Sequence, residues 1–76
     1  MTSLRIEIEQ EDDGRWIAEV PDLPGVMVYG ATREEAIAKV RALALRVVAE
    51  RIESGEPAID LEPIFPISQK HEKAAH

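Results

Sequence analysis

The carboxylates are the side chains of this 76-residue chain with the most chemistry to offer. Glu7 or Glu9, Glu50 or Glu53, and Asp60 come from separate stretches, and acids that converge from separate elements can hold the metal ions of a two-metal phosphodiester hydrolysis. Their settings argue against convergence. Glu7 and Glu9 alternate with apolar residues and read as the solvated face of a strand, while Glu50 and Glu53 fall on the polar side of a helical repeat. His71 and His76 lie in a polar C-terminal stretch with no acid or nucleophile organised around them, and a histidine-based metal site needs more ligands than that. Ser3, Ser54 and Ser68 have no base in register. With no cysteine, thiolate ligands and disulfides are excluded. No glycine-rich phosphate loop is present. The sequence predicts no enzyme, no cofactor and no metal site.

The elements around these residues specify a shape. Leu4, Ile6 and Ile8 alternate with Arg5, Glu7 and Glu9, the period of a strand lying on a core with its other face in water. Asp13-Gly14 is a hairpin signal, so the first two strands pair antiparallel. In the second, residues 15–20, Trp16, Ala18 and Val20 share one face and Ile17 and Glu19 the other, and the spacing leaves open which set meets the core. Pro21 and Pro24 of the PDLPG loop end that strand, because each fixes φ and lacks an N–H. Residues 26–29 form a short third strand that is apolar on both faces. Gly30 and Ala31 release the chain, and Thr32 with Glu35 makes a capping box. A helix follows over 33–53, with Ile37, Val40, Ala44, Val47, Val48 and Ile52 along one stripe. Glu35–Lys39 and Arg46–Glu50 are spaced as ion pairs, and Gly55 and Pro57 end the helix. At roughly 31 Å it is longer than strands near 17–20 Å, so its apolar stripe outruns its sheet. Ala58–Leu61 reads as a further short strand. The expected fold class is therefore α+β: a three-stranded antiparallel sheet, one long helix and a fourth strand, in the order β-β-β-α-β. One domain over 1–67 and a disordered tail over 68–76 are expected.

Nine Lys and Arg stand against fifteen Asp and Glu, a net charge of −6. The imbalance is local. Residues 1–31 hold seven acids against two bases and carry −5, whereas 32–54 carry +1. Such a field repels nucleic acid and attracts a basic partner, although the same charge also serves solubility. Trp16 and Tyr29 could stack on bases, but aromatic platforms need a basic surround, which the strands lack. Core packing or a protein interface is the expected role. No apolar stretch is long enough to span a membrane, and the N-terminus lacks the apolar core of a signal peptide, so a cytoplasmic location is expected.

The run DGRWIAEVPDLPGVMVYGATREEAIAKV and the SGEP that ends the helix closely resemble the HicB antitoxin family, over residues 4–57. The carriers are the Asp13-Gly14 turn, the aromatic at 16, the PDLPG loop, Gly30 and the T-x-E-E-A helix start at 32–36. The resemblance implies a reduced ribonuclease H-like fold and the antitoxin half of a toxin–antitoxin pair, whose partner is a small basic RNA-cleaving protein similar to HicA. Many relatives carry a C-terminal DNA-binding part. The proline-interrupted residues after Gly55 match none, so direct nucleic-acid binding is not expected. The expected function is occlusion of a basic toxin, and the alternative is a stand-alone ligand-binding or scaffolding module of the same fold. Asp12, Asp13, Glu19 and Asp22 are the expected acidic partner contacts, with Trp16 and Tyr29 as apolar anchors. The long helix stripe, the two-sided third strand and the apolar run Ile64 to Ile67 together exceed what one small chain can cover. A homodimer or higher homo-oligomer is therefore expected.

Overall fold

The structure is a computed structural model that describes residues 4–56, 61–63 and 65–69. Three strands and a helix follow one another: β1 (Glu7–Gln10), β2 (Trp16–Glu19), β3 (Met27–Gly30) and α1 (Arg33–Glu53). The strands form one antiparallel sheet in the order β1-β2-β3, and α1 packs across one face of it, mostly on β3 and β2. The class is α+β. The expected fourth strand falls, apart from Leu61, outside the described residues.

Local chemistry explains each connection. Between β1 and β2, Gly14 N–H donates to the Glu11 carbonyl (2.9 Å) and Glu11 N–H to the Arg15 carbonyl (2.7 Å). Gly14 sits at φ 93°, the left-handed position of a three-residue hairpin loop. The PDLPG loop is two stacked turns. Leu23 N–H donates to Val20 and Val26 N–H to Leu23, each at 3.0 Å. Pro24 followed by Gly25 at φ 86° is the residue pair that a type II turn demands. At the far end of α1, Glu56 N–H donates to Arg51 (2.8 Å) and Gly55 N–H to Ile52 (3.2 Å), the paired bonds of a Schellman C-cap.

The strands are shorter than the alternation alone implies. Glu7 pairs with Glu19, so Arg5 would have to pair with Pro21, which has no N–H to give. Leu4 and Ile6 keep their alternation and pack half-buried against the core without a ladder. The register also settles which face of β2 looks inward: Trp16, Ala18 and Val20 point toward α1, and Ala18 and Val20 are fully covered.

The core consists of Ala18, Val20, Leu23, Val26, Ala36, Val40, Ala44 and Val48. Ile37, Leu43 and Val47 are half-buried, while Leu45 and Ile52 are exposed. Ile52 therefore does not belong to the core stripe. Four-residue strands span only about 13 Å, so the last turns of α1 overhang the sheet. Gly30 is more than a release point. It is the buried last residue of β3, and a Cβ placed on it would lie 2.6 Å from the Ala36 backbone nitrogen. The chain can only turn from β3 into α1 because that side chain is missing.

The start of α1 is tied back to the sheet. Thr32 Oγ1 accepts from Glu35 N–H (3.0 Å), and Glu35 Oε1 accepts from Ala31 N–H (2.9 Å). This is a capping box displaced by one residue, since the usual partner is the N–H of the cap itself. Glu35 Oε2 also lies 3.0 Å from Lys39 Nζ, which donates in turn to the Tyr29 carbonyl. The Arg46–Glu50 pair expected alongside it does not form. The Lys39 ammonium, then the Ala31 N–H, hold the Glu35 carboxyl below its ordinary value of 4.5. Arg15, through its backbone N–H first and then its guanidinium, does the same for Asp13. Both groups bind protons more weakly folded than unfolded. Their contribution to stability is therefore complete above the ordinary carboxylate range and is lost as pH falls through the lowered values. Urea midpoints at pH 7 and pH 3 should show a smaller acid loss for Glu35→Gln than for the parent; an equal loss would remove Glu35 from the account.

Candidate protein-binding face

The face of the sheet turned away from α1 is built by alternation. Glu7 and Glu9 of β1, Ile17 and Glu19 of β2, and Met27 and Tyr29 of β3 all fall on it, and the register sets them in two rows. One row is Glu7, Glu19, Met27 and the other Glu9, Ile17, Tyr29. Charge thus sits toward β1 and apolar surface toward β3, an edge strand among the described residues. Met27 is 47% and Tyr29 41% exposed. A shallow depression of about 280 Å³ runs over the acidic side, lined by Glu7, Ile8, Glu9, Ile17 and Glu19.

Glu7 and Glu19 stand directly opposite each other, an arrangement that destabilises a sheet by like-charge repulsion. Arg5 lies 3.0 Å from Glu7 and relieves part of it. Glu9 and Glu19 have no ion-pair partner among the described residues. Ionised carboxylates only accept hydrogen bonds, so this row can receive ammonium or guanidinium groups. Beside it, the Arg15 guanidinium carbon lies 4.5 Å from the centre of the Tyr29 ring, a cation–π contact. Asp13 Oδ2 holds the same guanidinium at 2.8 Å, and Asp13 Oδ1 accepts from the Arg15 backbone N–H at 3.1 Å. Asp13, Arg15 and Tyr29 are one connected surface unit that fixes the tyrosine ring.

The six expected contact residues are distributed over this framework. Glu19 and Tyr29 share the outer face. Asp12 and Asp13 lie at the tip of the β1–β2 turn, bordering a second depression with Glu9, Gln10 and Glu11. Asp22 lies in the loop at the other end of β2 and is half-buried. Trp16 points to the helix side, half-buried against the core. Reasoning from the sequence left Glu7, Glu9, Ile17 and Met27 out of the site. The Asp-Gly turn carried the missing signal, because fixing it fixes the register, and the register puts Glu7 across from Glu19. Among the described residues, no group of three His, Cys, Asp or Glu is placed to hold a metal ion, and no helix is long and apolar enough to cross a membrane. Set beside known proteins, the chain matches no family model, no curated protein and no solved structure.

Proposed function

We propose that this chain is a HicB-like antitoxin that neutralises a small basic RNA-cleaving toxin by covering the toxin's phosphate-binding surface. The observation that carries the reading is the outer sheet face, where the carboxylates of Glu7, Glu9 and Glu19 lie beside half-buried Ile17 and the exposed Met27 and Tyr29 of β3. A protein that cleaves RNA presents positive charge to phosphates, and an acidic face competes for that charge and speeds encounter. The apolar edge supplies the desolvated contact that holds a complex together. In the same reading, residues 58–61 add a fourth strand and make the fold a reduced ribonuclease H-like one. Its support is the alternation of Ile59 and Leu61 with Asp60 and Glu62, together with the packing of Leu61 against the core. The protein acts in the cytoplasm as a homo-oligomer.

The reading expects a short basic protein encoded beside this chain, and the test measures binding between the two. Reversing Glu7 and Glu19 to Lys together should weaken binding roughly tenfold to a hundredfold and flatten its salt dependence. Reversing Asp12, in the β1–β2 turn at the far end of the sheet from this row, should do much less. Unchanged affinity across the salt series for the Glu7, Glu19 variant would reduce the acidic face to a solubility device.

A further inference from the structure

The back of α1, opposite the core, carries a second apolar surface. Ala38, Ala42, Leu45, Ala49 and Ile52 are all exposed, with Leu45 at 67% and Ile52 at 48%. Their spacing is four, three, four, three, the 3.5-residue repeat of a helix seam that meets another helix. The seam runs for roughly 21 Å at 1.5 Å per residue. At Leu45 it continues sideways into an apolar groove of about 190 Å³ lined by Leu4, Ile6, Val20, Arg41, Ala44 and Leu45. This surface lies on the other side of the molecule from the acidic sheet face.

We propose that the seam is an interface with a second copy of this chain, in which the two α1 helices pack antiparallel about a two-fold axis near residue 47. Three properties of the helix select that partner. Antiparallel pairing sets Leu45 against Ala49 and Ile52 against Ala42 of the other copy, so that each large side chain meets a small one and the pattern complements itself. One flank of the seam carries Lys39, Arg46, Glu50 and Glu53. Antiparallel pairing brings the same flank of both copies together, with two cations and two anions from each and no net charge. Near the axis the Arg46 side chains of the two copies then face each other with Glu50 of each copy beside them, and neither residue has an ion pair within its own chain. Parallel pairing would instead stack Leu45 on Leu45 and Ile52 on Ile52 and leave the alanines facing alanines, with gaps between the large layers. The interface is isologous and closes at two copies, leaving both acidic sheet faces free. It stands whether or not that face binds a toxin.

Light scattering on the full chain at low micromolar concentration should give twice the 8.5 kDa chain mass. Leu45→Glu should raise the dimer dissociation constant at least about a hundredfold, because it buries a charge at the centre of the seam. Its circular dichroism should match the parent, since Leu45 is exposed within one chain. The orientation is read with cysteine variants, which the parent's lack of cysteine permits. Leu45→Cys mixed with Ala49→Cys should form the crosslinked pair on mild oxidation, and Leu45→Cys alone much less. A parent that stays monomeric, a folded Leu45→Glu protein that stays dimeric, or stronger crosslinking of Leu45→Cys alone would each overturn the proposal.

Discussion

Gly30→Ala should lower the stability of this domain by about 3 kcal/mol, the upper end of what an overpacked methyl group costs. The melting temperature should fall by roughly 12–24 °C. The added carbon would sit 2.6 Å from the Ala36 nitrogen and 2.9 Å from its Cα. Both are backbone atoms at the start of a capped helix, so no side chain can swing aside to make room. The comparison that isolates this cause is Gly25→Ala. Gly25 has φ 86° and nothing within 4 Å of a built Cβ, so alanine there meets only the left-handed penalty of about 1–2 kcal/mol. Asparagine, which tolerates that conformation, should recover part of the loss at 25 and none at 30. Equal losses at both positions, or recovery by asparagine at 30, would show that the strand–helix junction can open without consequence.

Leu23→Ala should cost about 3 kcal/mol through the transfer and cavity effects of a large-to-small change. For a domain with only about 5 kcal/mol in hand, that populates the unfolded state under mild heating or low urea. Leu23 is 1% exposed although it lies between two prolines in a loop. The two turns described above fold the loop over the end of the sheet and drive this one side chain into the core beside Val20 and Val26. The loop is therefore a plug whose stiffness keeps the plug seated. A Leu23→Ala protein that melts like the parent would return the loop to the role of a surface feature.

The sequence makes some of this structure plain and hides the rest for identifiable reasons. The helix runs over Arg33–Glu53, as its apolar period and caps require, because periodicity and capping are local properties that a short window displays. The β1–β2 hairpin follows from Asp13-Gly14 in the same way. Leu23 escapes, since its burial depends on the loop's path in space while its neighbours Pro21, Asp22 and Pro24 read as a surface turn. Gly30 escapes because its φ is ordinary and its reason for being glycine lies six residues on, at Ala36. Ile52 carries the spacing of the core stripe, yet with Leu45 it lies on the face of α1 turned away from the sheet. On the outer face, Glu19 and Tyr29 were legible by residue type, as an acid and an aromatic, while alternation left open which face of their strands looks outward. Glu7, Glu9, Ile17 and Met27 needed the pairing across strands, which no single stretch of sequence contains.

The order of the elements bears on how quickly the chain reaches this state. Each strand pairs only with its neighbour in sequence, through connections of five residues (11–15) and seven (20–26), and two residues (31 and 32) separate β3 from α1. Closing such short loops costs little entropy before the contacts they enable are made. Topologies rich in local contacts fold faster than those that must join distant segments. The first hairpin is complete as soon as Glu19 has been made, but two strands alone are marginal in water. Lasting structure waits for α1 to swing back across β3 and β2. The step that commits the chain is therefore the turn at Gly30, where any side chain would collide with the first turn of the helix.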